Sequence, residues 1–145
     1  MKIVKSMFLL FVVLLATNKI QAQTDLNQAL EQAKKENKFV FMNFSGSDWC
    51  KSCILLKKTI LNTEEFKDFA KNKLVILNLD FPRSKKNKLS KEQVKVNEKL
   101  AEKYNNKGHF PTIVLLNKEG KVLGKTGYKK LNPAQYINHI KSFLN

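Results

Sequence analysis

Apolar positions recur along this chain in two alternating rhythms. Residues 25–37 place Leu26, Ala29, Leu30 and Ala33 at helical intervals on one face, behind an Asp25-x-x-Gln28 capping-box start. Residues 39–44, Phe-Val-Phe-Met-Asn-Phe, form an apolar run of strand length that stops at the small and polar residues 45–48. A helix is predicted from about Cys50 to Ile60. A shorter one follows to about Asn72, with Thr63 as its N-cap and Glu64 and Glu65 in its first turn. Residues 74–79 are near-continuously apolar, which predicts a strand buried on both faces.

After a loop over residues 81–90, Ser90-x-x-Gln93 opens another helix with Val96, Leu100 and Tyr104 at fourth-residue spacing. Residues 112–116 and 121–125 read as two strands of a hairpin turning at Lys118, Glu119 and Gly120. Asn132 as N-cap and Pro133 at the first helical position start the last helix, with Ile137, Ile140 and Leu144 inward and His139 outward in solvent. The order is therefore α, β, α, α, β, α, β, β, α. Two early strands, each followed by a helix, predict a parallel pair; the hairpin predicts antiparallel strands beside it. The expectation is one α/β domain with a mixed sheet.

The N-terminus does not belong to that domain. Lys2 and Lys5 precede an apolar run over residues 7–16, and Ala22 offers a small residue for cleavage before Gln23. The run is shorter than the roughly 20 residues a bilayer span needs. Residues 1–22 are therefore expected to be a signal peptide, with an uncleaved anchor as the alternative, and residues 23–145 the mature domain in the periplasm or outside the cell.

The net charge of +15 changes this picture little. Removing Lys2, Lys5 and Lys19 with the leader leaves about +12. Arg83 is the single arginine, so the charge is a lysine-rich surface rather than the planar guanidinium forks that read nucleic acid. No nucleic-acid partner is expected. The local exception is a basic cluster, Arg83, Lys85, Lys86 and Lys88, in the loop over residues 81–90.

The chemistry is concentrated in Trp49-Cys50-Lys51-Ser52-Cys53, which holds the only two cysteines. A disulfide across so short a loop constrains the unfolded chain little, so a purely structural role gains little. Structural zinc needs four ligands, and only the widely separated His109 and His139 are available. Covalent haem attachment needs His after the second Cys, where Ile54 stands. Two inert buried cysteines remain the bland alternative. Redox chemistry fits better: a helix start at Cys50 and the neighbouring Lys51 both favour the thiolate, the species that attacks disulfides. In an oxidising compartment the pair also requires a redox partner.

The element order, Trp-Cys-x-x-Cys after the first long strand, and Phe110-Pro111-Thr112 opening the third together resemble the thioredoxin superfamily. The resemblance spans nearly all of the mature chain, and is nearest to exported thioredoxin-like proteins and to the C-terminal domain of the membrane electron transporter that feeds them. It implies a thioredoxin fold, with a central mixed sheet of about four to five strands and helices on both faces. It implies that Cys50 is the exposed nucleophile and Cys53 the buried resolving thiol. Pro111 matches the family's cis-proline, and Phe110 would offer backbone hydrogen bonds to an extended substrate segment, with Trp49 beside them. No metal or cofactor is implied. Partners are proteins carrying disulfides or thiols and a redox partner, such as a membrane electron transporter, and the protein is expected to be monomeric. The family's buried carboxylate on the first strand falls on Asn43, which cannot serve as a base; Asp48 or a water would have to substitute. The reducing direction is the leading expectation. An oxidant or isomerase, and a redox-inactive binding module on the same fold, are the alternatives.

Overall fold

In the computed structural model, which describes residues 25–145, the predicted rhythm becomes α1 (Leu26–Glu36), β1 (Phe39–Ser45), α2 (Lys51–Leu56), α3 (Glu64–Lys73) and β2 (Leu74–Asp80). Then come α4 (Lys91–Tyr104), β3 (Thr112–Leu116), β4 (Val122–Thr126) and α5 (Pro133–Lys141). The predicted leader lies outside the described residues, and among these no helix is long and apolar enough to cross a membrane. The four strands lie in the order β2-β1-β3-β4, with β1 parallel to β2 and antiparallel to β3, and β3 and β4 forming the hairpin.

β1 is the strand around which the layers form. Its side chains alternate between faces. Val40, Met42 and Phe44 meet α1 and α4 on one side, with Val75, Leu77 and Leu79 of β2 beside them. Phe41 meets Leu56, Phe66, Tyr136 and Ile140 on the other, where α2, α3 and α5 pack. Helices therefore cover both faces. Each large apolar side chain buried this way contributes about 1.5–3 kcal/mol relative to exposure.

Local signals held unevenly. Thr63 caps α3 through Phe66 N–H, and Asn132 forms a complete capping box with Gln135 at the start of α5. At Ser90 only half the expected box forms: its hydroxyl accepts from Gln93 N–H, but the Gln93 side chain donates to Asn97 Oδ1 instead. Asp25 accepts from Asn27 N–H rather than closing a box with Gln28. The helix expected to run to Ile60 is α-helical only to Leu56. It continues as a π-helical turn, Lys57–Leu61, in which Asn62 N–H reaches back to Lys57 C=O.

Three burial assignments change. β2 is an edge strand, so it is not buried on both faces: Ile76 is half-buried and Asn78 exposed. On α4 Val96 is exposed and the polar Asn97 is buried, because its amide donates to the terminal β2 carbonyl of Asp80 at 2.8 Å. His139 is not simply solvated. Its Nε2 lies 2.9 Å from Thr126 Oγ1, and its ring packs edge-on against Tyr136 and Phe143. Desolvation, with a smaller contribution from Lys129, holds its pKa below the ordinary histidine value.

Candidate active site

β1 ends by delivering the chain to Gly46, and a tight return from Gly46 C=O to Cys50 N–H sets up α2. Gly46 is required there: a Cβ would lie 2.4 Å from the Trp49 indole. Cys50 is the N-cap of α2. Its Sγ accepts from Cys53 N–H at 3.2 Å, and the two sulfurs are joined as a disulfide with Cα atoms 5.2 Å apart. Gly46 N–H points at Cys53 Sγ from 3.5 Å. Donors aimed at each sulfur favour its anionic form once the bond is opened.

The expected contrast between an exposed and a buried sulfur is not present in this disulfide form. Cys50 is 6% exposed and Cys53 3%. The covering comes from elsewhere in the chain. Ser52 Oγ lies 3.6 Å from Cys50 Sγ and 3.5 Å from Phe110 C=O, so the loop before β3 closes over the pair. The Phe110-Pro111 peptide bond is cis, Pro111 is buried, and a Cβ on Gly127 would lie 2.8 Å from the Pro111 carbonyl oxygen. Asn105 holds this loop by donating to His109 C=O and accepting from His109 N–H. Lys51 is exposed at the first position of α2.

Around the pair stands an aromatic cluster. Trp49 and Phe81 each meet Phe110 edge-on, at 5.5 and 5.3 Å between centroids, and Trp49 Nε1 donates to Phe81 C=O at 2.7 Å. The Arg83 guanidinium lies 3.7 Å above the Trp49 ring, a cation–π contact. The family resemblance groups Trp49, Phe110 and Pro111, and the Trp49 and Phe110 rings are in contact here. Arg83 and Phe81 were missed as members of the site, although the basic cluster in the loop was a signal for the first.

Asp48 does not line the recess walled by Cys53; it faces the loop after β2 instead. Its carboxylate accepts from Arg83 N–H, Ser84 N–H and the Asn87 side chain, at 2.9, 2.9 and 3.0 Å. The Arg83 backbone bond, then Asn87, hold its pKa below the usual carboxylate value. A depressed carboxylate pKa contributes order that is present above the ordinary value of 3.8 and lost as pH falls through the lower folded value. The loop over residues 83–91 is therefore expected to keep its protease resistance at pH 5. An Asp48→Ala variant should be cleaved there faster at neutral pH, with little change in global unfolding. Equal cleavage of both proteins would show that Asp48 does not order the loop.

Comparison with known proteins fits this geometry. The family model described as a thioredoxin-like domain matches residues 26–143. The disulfide bond reductase DsbH of Chlamydia pneumoniae is 38% identical over 117 residues, which is 81% of this chain and 69% of that protein. A solved DsbH oxidoreductase superimposes with a TM-score of 0.76 at 36% identity, covering 83% of this chain and 81% of that one. The oxidised C-terminal domain of DsbD from Neisseria meningitidis shares the fold, with a TM-score of 0.54 at 20% identity over 81% of this chain and 91% of that one. With its thioredoxin fold and its cysteine pair at the head of α2, the chain belongs to the thioredoxin-like domain family.

Proposed function

We propose that the protein is an exported thiol–disulfide oxidoreductase that reduces disulfides in protein substrates. The observation that carries this is the Cys50–Cys53 disulfide at the start of α2, with backbone N–H groups directed at both sulfurs. In the reduced protein, Cys50 thiolate attacks a substrate disulfide and one substrate sulfur leaves as a thiolate. Cys53 then attacks Cys50, the protein disulfide forms, and the second substrate thiolate departs. Lys51 and the N-cap position favour the Cys50 thiolate. Trp49, Phe110 and Pro111 form the surface against which an extended substrate segment lies.

The reducing direction is supported by the 38% identity to a protein named as a disulfide bond reductase. Steady function in an oxidising compartment then needs an electron donor, for which a membrane electron transporter is the proposed partner. The protein acts as a monomer, and residues 1–22 direct its export.

The deciding measurement is the equilibrium reduction potential of Cys50 and Cys53 against glutathione. A reductase is expected near thioredoxin's value of about −270 mV. A value near about −120 mV, that of a strong oxidant, would overturn the direction while leaving the chemistry. Failure to reduce insulin at all would leave only a binding module on this fold.

A further inference from the structure

The resolving step needs a destination for the Cys53 proton, and the side of the sheet that β2 leaves partly open supplies one. A cavity of about 540 Å³ lies between the β1 and β2 face and α3, floored by Asn43 and Asn78 with Ser47 and Asp80 at one end. A smaller cavity of about 150 Å³ is walled by Cys53 and shares Ser45, Ser47, Lys57 and Asn62 with the first. Cys53 and Asp80 thus line neighbouring parts of a recess whose two cavities share Ser47.

Two features mark that recess for proton traffic. Asn43 is 7% exposed, and its amide nitrogen donates to Asn78 Oδ1 at 3.1 Å. Its own Oδ1 has no partner among the described residues. The cavity has room for a water that would donate to this buried amide oxygen. Asp80 is the second feature. Its Oδ2 accepts from Ser47 Oγ at 2.6 Å, and its Oδ1 from Ser47 and Phe81 N–H at 2.9 and 3.0 Å. The register pairs Asn43 with Asn78 and Ser45 with Asp80, so all four side chains share one face of the sheet.

Among the described residues, Asp80 is the only carboxylate lining either cavity. The other charged groups there are Lys57, Lys67 and Lys71 in the larger and Lys57 and Lys58 in the smaller, all cations. On its far side Asp80 faces a third recess with Arg83, Lys85, Lys88 and Glu98.

We infer that Asp80 receives the Cys53 proton, relayed through water held at Asn43 Oδ1 and through the Ser47 hydroxyl. The inference rests on the disulfide-exchange reading above. The Cys53 S–H bond breaks, and the proton passes along the relay to the Asp80 carboxylate. The Cys53 thiolate attacks Cys50 Sγ, forming the intramolecular disulfide and breaking the bond from Cys50 to the substrate. The electron pair leaves on the substrate sulfur, which takes up the proton that Asp80 returns through water. The dithiol loses two electrons and the substrate disulfide gains them. Asp80 never touches the reacting sulfurs; it positions and accepts the proton through the relay.

The test uses reduced protein and dithiobis-nitrobenzoate in stopped flow. Attack by Cys50 releases one coloured thiolate, and resolution by Cys53 releases the second, so one trace reports both steps. In Asp80→Asn the second release should slow relative to the first by on the order of tenfold or more near pH 6.5. The deficit should close by about pH 9.5, where solvent alone deprotonates the thiol. Asp80→Glu should restore most of the rate, and Ser47→Ala should show a smaller version of the same pH-dependent deficit. An unchanged second release, or one slowed equally at every pH, would overturn the relay and leave disulfide exchange intact. A wild-type protein that shows no second release would overturn both readings.

Discussion

A Cys53→Ser variant is expected to become a covalent trap. Cys50 still attacks a substrate disulfide, but the intramolecular thiol that displaces the substrate is gone. Held beside Cys50 at the head of α2, Cys53 acts at an effective concentration that no external thiol approaches. Catalysed insulin reduction should therefore fall by at least roughly a hundredfold, and adducts on Cys50 should accumulate until reductant is added. Cys50→Ser should form none. The assignment is a real test here, because the two sulfurs differ so little in exposure, 6% against 3%. The asymmetry comes from their neighbours: Cys50 borders Ser52 and the Phe110 loop, whereas Cys53 faces Gly46 N–H and the inner recess. Mass spectrometry that found adducts on Cys53 in the Cys50→Ser variant would reverse the two roles.

The largest effect on stability should come from Tyr136. It is fully buried in the layer formed by α2, α3 and α5, and its hydroxyl donates to Gly127 C=O at 3.0 Å. Burial alone pushes its phenol pKa upward, so it stays neutral throughout the working range. Tyr136→Ala removes a ring from a packed interior and should cost about 3–5 kcal/mol, lowering the melting temperature on the order of 10–20 °C. Tyr136→Phe keeps the ring and loses only the hydrogen bond, at about 0.5–1.5 kcal/mol. Gly127 also abuts the Pro111 carbonyl, so the phenol braces the loop that closes over the cysteines as well as the core. Urea unfolding of both variants separates the contributions. A loss below about 1 kcal/mol for the alanine variant would show that the interior is not packed around this ring.

Much of this was legible in the chain itself. Periodicity reports burial wherever one element meets one neighbour, so the order of helices and strands, the parallel pair and the hairpin followed from apolar spacing. Thr63 and Asn132 were legible for a local reason: a cap bonds to N–H groups two or three residues away, whatever surrounds it. The cysteine pair declared its chemistry because its spacing and its lack of other partners need no tertiary information.

What lay beyond the sequence were contacts whose partners are remote. Asp48 orders a loop 35 to 39 residues away, and nothing in its neighbourhood distinguishes that from a solvated carboxylate. Asn97 is polar by type yet buried, because a strand-end carbonyl on another element needs its amide, while Val96 next to it turns outward. β2 reads as doubly buried because apolar content cannot say whether a strand lies at the centre or the edge of a sheet. That edge position leaves the recess behind Cys53, and the register of β1 on β2 then sets Asn43 and Asp80 on one wall of it. Side-chain identity determined which groups were able to exchange disulfides. Only the pairing of strands decided that Asp80 shares a face with Asn43, because a one-residue slip of β2 would turn Asp80 to the opposite face.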